Sequence, residues 1–127
     1  MKLNYFTLLD WLYFYNYPKE VIQFIESLEV KPKIVYSKNI CRLFLCANGV
    51  TLYPNIYIYS PFHIRKELIN HELIHWFQQK NTKHFYLAYA IETLCHGYKK
   101  NKYEQEAYRN EDNLSYILCY GKESNKK

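Results

Sequence analysis

Asn70-His71-Glu72-Leu73-Ile74-His75-Trp76 reads H-E-x-x-H. Residues four apart on an α-helix stack on one face, so His71 and His75 can aim two imidazoles at one point, an arrangement that suits Zn2+. Glu72 is rotated from them by one residue. Its carboxylate therefore lies beside that point rather than on it, where it can take a proton from an attacking water. Ligands and base are specified together, provided the segment is helical.

The flanking residues favour a helix. Ser60-Pro61 offers an N-cap hydroxyl followed by a proline at the first helical position, and neither Gly nor Pro recurs before Gly97. A helix from about Pro61 to Gln79 is expected. Ile64, Leu68, His71, His75 and Gln78 fall on one face of it and Phe62, Ile69, Leu73 and Trp76 on the opposite one, with Lys66, Glu67 and Asn70 between. Two such faces predict a central helix, packed behind and enclosing something polar in front.

A chain of 127 residues can build one hydrophobic core, and no linker divides it: one domain over residues 1–121 is expected, opening with a helical segment over 1–30 and closing in a disordered tail over 122–127. The net charge of +5 is concentrated in Lys99, Lys100 and Lys102 and in Lys122, Lys126 and Lys127. That pattern suits a solvated loop and a frayed end, and no nucleic-acid motif accompanies it, so no nucleic-acid partner is expected. Cys41, Cys46, Cys95 and Cys119 lack C-x-x-C spacing and read as reduced, buried thiols. The apolar run from Met1 to Tyr17 is interrupted by Asp10 and followed by no cleavage site, which argues against a signal peptide or a membrane span and for a cytoplasmic location. Peripheral membrane contact through Trp11, Tyr13, Phe14 and Tyr15 stays open.

Taken in order, the chain predicts helices over Phe6 to Tyr15 and Pro18 to about Glu29, then strands over Lys33 to Tyr36, Cys41 to Cys46 and Val50 to Tyr59, with Asn48-Gly49 as a hairpin turn. Pro54 demotes the first part of the third strand to a sheet edge. An edge beside the His71 helix can pair with an extended peptide. A further helix from about Phe85 closes at Gly97, with His84 and His96 read as surface residues rather than ligands. A last helix runs from Asn101 or Lys102 to Ile117 or beyond, with Tyr103, Ala107, Leu114 and Leu118 facing the core. The fold class is α+β: a small three-stranded sheet packed on a central metal-binding helix, with more helices before and after it.

Strands leading to His71-Glu72-Leu73-Ile74-His75, then an intervening helix, then Tyr103-Glu104-Gln105-Glu106-Ala107-Tyr108, resemble the gluzincin group of zinc metallopeptidases. The likeness is strongest to the single-domain minigluzincins and similar small, often phage-encoded proteins, which follow H-E-x-x-H with a helix of the type E-x-E-A-D. It covers roughly Val50 to Leu118. It implies a zincin-like fold, Zn2+ held by His71, His75 and Glu104, Glu72 as general base and acid, and a peptide or protein substrate. Tyr108 stands where the pattern has its closing Asp, which removes a carboxylate that would orient a ligating histidine; Glu111, a turn later, or a backbone carbonyl can replace it. Tyr98, Tyr108 and His96 are candidates for stabilising the oxyanion.

The third ligand is contested by Glu106. Asn101-x-x-Glu104 can form a capping pair that would leave the metal to Glu106, whereas on a helical wheel Glu104 lies about 60° from Ala107 and Glu106 about 100° away on the other side. A reading from another class is a catalytically weak or inactive zincin-fold binding protein whose metal is structural, which the Tyr108 departure favours and Glu72 disfavours.

Overall fold

The computed structural model describes residues 5–44 and 48–125. They form a mixed α+β fold. Strand β1 (Tyr5–Thr7) is followed by helices α1 (Leu8–Phe14) and α2 (Lys19–Glu26), strand β2 (Lys33–Tyr36), helix α3 (Lys38–Leu43) and strands β3 (Gly49–Leu52) and β4 (Asn55–Ile58). A 3-10 turn (Pro61–His63) leads to α4 (Lys66–Asn81), α5 (Phe85–His96), α6 (Lys102–Asn110) and α7 (Leu114–Asn125). No helix among the described residues is long and apolar enough to cross a membrane.

The sheet has four strands, not three, in the order β1-β2-β4-β3. β1, from the segment expected to be helical, pairs antiparallel with β2, and β2 runs parallel to β4. The expected strand over Cys41 to Cys46 is instead α3 as far as Leu43, while Leu45 and Cys46 lie outside the described residues. Its start is fixed by Ser37, whose hydroxyl accepts from the Ile40 N–H at 3.2 Å, and Cys41 is its one buried residue. A short apolar run has no period by which to tell strand from helix, and here the cap decides. The hairpin turn falls at Tyr53-Pro54, between β3 and β4, rather than at Asn48-Gly49.

β3 is one of the two edge strands and lies against α4. Gly49, expected in a turn, is its first residue: a Cβ there would stand 3.1 Å from Leu68 Cδ1 and 3.3 Å from Glu72 Oε2. The missing side chain makes room for the Glu72 carboxylate. Gln79 holds the other end of the strand, donating to the Thr51 carbonyl at 2.6 Å and accepting from the Tyr53 N–H at 2.7 Å.

α4 starts later than its sequence suggests. Ser60 makes no side-chain cap, and Ile64 leaves the 3-10 turn in extended conformation to bury itself, its carbonyl bonded by the Tyr15 hydroxyl at 3.1 Å. Phe62, expected on the packed face, is 96% exposed. From Ile69 to Gln78 every residue of α4 is buried. Ile69, Leu73, Trp76 and Phe77 join Leu8, Leu12, Ile34, Ile56 and Ile58 in one apolar core. His71, His75 and Gln78 face away from it, toward α6.

The expected last helix is two helices. Asn113 caps the second by accepting from the Tyr116 N–H at 3.0 Å, and the break places Glu111 at the end of α6. Nor does order stop at Gly121: α7 continues to Asn125, so residues 122–125 of the expected disordered tail are helical, and 126 and 127 lie outside the described residues. Gly121 marks a close approach, since a Cβ there would come within 2.6 Å of Phe24 Cε2 and 2.9 Å of Phe77 Cζ. Gly121→Leu is expected to destabilise the fold by about 1–3 kcal/mol through overpacking. Thermal denaturation checks it.

Candidate metal centre

His71 and His75 lie one turn apart on α4, their rings 4.8 Å between centroids, and Glu104 reaches them from the first turn of α6. His71 Nε2 and His75 Nε2 are 3.1 Å apart and stand 3.2 and 3.3 Å from Glu104 Oε1. All three residues are at least 93% buried. Three ligands on a tetrahedral zinc with arms of 2.0–2.1 Å would be separated by about 3.3 Å, so the donor set has the dimensions of such a site.

The protons on the histidines can be placed from their other neighbours. His71 Nδ1 meets Glu111 Oε2 at 3.0 Å, and a carboxylate only accepts, so Nδ1 carries the hydrogen. His75 Nδ1 meets Gln78 Oε1 at 2.8 Å. The amide orientation is set because Gln78 Nε2 donates to the Tyr103 carbonyl at 3.0 Å and to Glu106 Oε1 at 2.6 Å. Both Nδ1 atoms donate, which leaves both Nε2 lone pairs converging on each other and on a carboxylate. Such a cluster of acceptors needs a cation. In the metal-free chain it is a proton: burial opposes a charge on His75, but its hydrogen bond to the Glu104 carboxylate, with the Glu72 and Glu104 charges, raises its pKa to about 9. Burial likewise works against the Glu104 charge, yet its contacts with the His71 and His75 imidazoles hold its carboxyl well below the usual carboxylate range.

Asn101 separates the surroundings of the two glutamates. Its side chain accepts from the Tyr103 and Glu104 backbone N–H groups at 2.8 and 3.4 Å, capping α6, while the Glu104 carboxylate is not turned back to close the pair. Glu104 Oε2 instead accepts from the Tyr89 hydroxyl at 2.5 Å. Glu106 is engaged by Gln78 and by the Tyr116 hydroxyl. Glu104→Gln should therefore weaken zinc binding by more than about a hundredfold, beyond the ten- to hundredfold usual for residues that only orient a ligand. Glu106→Gln should stay within a few-fold, and zinc titration of both variants checks the order.

Glu111 takes the orienting place left by Tyr108, whose ring packs on His71 at 4.5 Å between centroids. Its backbone is held in turn by Asn70, which donates to the Glu111 carbonyl at 2.7 Å and accepts from the Tyr17 hydroxyl at 2.6 Å. Glu72 is 3% exposed and lies outside the donor triad. The Thr51 hydroxyl, from β3, bonds its Oε1 at 2.7 Å. Gln78, Tyr89, Thr51 and Asn70 were not singled out by sequence as site residues. Only Gln78 had a usable signal, its place on the histidine face of α4.

The donors open onto a cleft of about 270 Å³ walled by Leu43, Phe44, Val50, Leu52, Phe85 and Tyr86. A second hollow of about 470 Å³ also borders His71 and Glu72 and reaches Arg65, Glu67 and Glu111. Tyr98 borders both hollows and Tyr108 the second. Burial, then its contact with Tyr108, raises the Tyr98 pKa, so this hydroxyl stays protonated and can donate. His96 is exposed at the end of α5 and borders neither hollow, and His84 is exposed before it. Of the cysteines, Cys41 is buried, which pushes its thiol up to about 11, while Cys95 and Cys119 are free and exposed rather than buried. No protein-family model, curated protein or solved structure matches the chain.

Proposed function

We propose that the chain is a zinc-dependent metallopeptidase with a zincin-like fold, of the gluzincin kind, in which His71, His75 and Glu104 hold Zn2+ and Glu72 is the general base. The observation that carries this reading is the convergence of both Nε2 atoms on Glu104 Oε1, at 3.2 and 3.3 Å, while each Nδ1 meets an acceptor elsewhere. Zinc, when bound, would polarise a peptide carbonyl and lower the pKa of water.

The chain's own residues supply the rest. An extended peptide pairs with the β3 edge near Gly49, since Gln79 already occupies outward groups at Thr51 and Tyr53. Side chains of the peptide fill the apolar cleft on one side of the scissile bond and the charged hollow on the other. Glu72, steadied by Thr51, accepts the proton of the attacking water and passes it to the leaving amine. Tyr98 donates to the oxyanion. The position of Glu111 on His71 weakens the case for an inert site, because the orienting carboxylate missing at Tyr108 is supplied from the next turn.

Metal analysis and digestion of an unstructured protein such as casein test the proposal. The expected result is about one zinc per chain and proteolysis that stops on chelation and returns with added zinc. A zinc-to-protein ratio near zero after preparation in zinc would remove it.

A further inference from the structure

α5 is out of keeping with the rest of the surface. Only Phe85 of its twelve residues is buried, and its outward face is made of Tyr86, Leu87, Ala90, Ile91, Leu94 and Cys95. Leu87, Ile91 and Leu94, at helical spacing, are 63, 51 and 86% exposed. A solvent-facing helix normally carries charge there, and a row of aliphatic side chains in its place marks an interaction surface. These three do not border either hollow; the residues of α5 that line the cleft are Phe85, Tyr86, Tyr89 and Thr93.

The exposed charged residues at the two ends of this face are all basic. Between Glu72 and Glu104 the chain carries Lys80, Lys83, Lys99, Lys100 and Lys102 against the single acid Glu92. Glu92 is turned toward α6, where it accepts from the Lys102 N–H at 3.1 Å. Lys83 and His84 are exposed at one end of α5, and His96, Lys99 and Lys100 at the other. This arrangement disfavours a second copy as the partner. Antiparallel pairing of two α5 helices would set Lys83 of one copy against Lys99 and Lys100 of the other, and parallel pairing would oppose identical cations.

We propose that the outer face of α5 binds an anionic lipid surface, with Leu87, Ile91 and Leu94 entering the boundary between headgroups and acyl chains and the terminal lysines meeting the headgroup charge. A twelve-residue helix is about 18 Å long, enough to lie in the interface plane without spanning it. Each lysine near such a surface contributes on the order of a fivefold gain in binding at moderate salt, and the contribution fades as salt rises.

Sedimentation of the full-length protein with vesicles tests this independently of zinc and proteolysis. The protein should bind phosphatidylcholine vesicles containing phosphatidylglycerol, lose that binding at high salt, and bind pure phosphatidylcholine at least about tenfold more weakly. Leu87→Ser with Leu94→Ser, and separately Lys99→Glu with Lys100→Glu, should each lower binding by about tenfold or more while melting temperature and circular dichroism are kept. Absence of binding to the anionic vesicles, or unchanged binding by the Leu87/Leu94 variant, overturns the proposal. So does a lipid-free dimer of the wild-type chain that the same pair of serines makes monomeric, which would assign the face to a second copy.

Discussion

Glu72→Gln is expected to lower peptide hydrolysis by about 10²–10⁴-fold, the usual contribution of a positioned general base, with zinc content and melting temperature unchanged. The carboxylate is buried beside the donor triad, with Oε1 already accepting from Thr51. A glutamine can keep that bond through its own Oε1. What it cannot do is accept the water's proton through an amide nitrogen. The companion change Thr51→Val removes only the group that steadies the base, so a smaller loss of kcat is expected from it, again with zinc retained. Digestion of casein by Glu72→Gln at the wild-type rate would place the base elsewhere or the activity in a contaminant.

His71→Ala and His75→Ala should each abolish stoichiometric zinc binding and remove the effect of chelator on melting. Zinc at a hundred times its dissociation constant adds about 2.7 kcal/mol to the folded state, and a variant lacking one ligand forfeits most of that gain. Each substitution also leaves Glu104 buried with one neighbour fewer to balance its charge. The pH dependence follows from His75. Its folded pKa is raised from 6.5 to about 9, so its proton stabilises the metal-free chain fully below about 6.5, and that stabilisation is lost as pH rises through about 9. Zinc must displace this proton, so its affinity rises over the same window. The melting difference between zinc-loaded and metal-free protein should widen from pH 6.5 to 9. Melting curves with and without chelator measure it; equal, metal-retaining behaviour of both alanine variants would rule the site out.

What could be read ahead of the structure was whatever depends on near neighbours in the chain. His71 and His75 are brought together by one helical turn, which needed no tertiary information, whereas Glu104 joins them only through the docking of α6, and its angle to Ala107 favoured it over Glu106 without excluding the latter. α5 was legible at both ends, from Phe85 to the Gly97 cap. The sheet was less so. β1 is three residues whose partner lies about thirty positions on, and α3 differs from a strand only by the Ser37 cap. Gly49 was taken as a turn residue, whereas it and Gly121 each sit where another side chain presses on the backbone: Leu68 and Glu72 in one case, Phe24 and Phe77 in the other. Gln78 was seen on the right face, but its role depends on Tyr103 and Glu106, which arrive from α6.

The separation of the donors along the chain bears on when an ion can be captured. Synthesis runs from the N-terminus, so His71 and His75 leave the ribosome while Glu104 and Glu111, 29 and 36 positions beyond His75, are still to emerge. At that stage the two imidazoles have no carboxylate to complete the set and no Glu111 to hold the first ring. Gln78, too, lacks the Tyr103 carbonyl and Glu106 that fix its amide, so the second ring is free to turn. Two unaligned nitrogens hold a divalent ion poorly. On the proposed reading, loading of the centre waits on docking of α6, and a chain stopped short of Glu104 is expected to leave translation as a metal-free product however much zinc surrounds it.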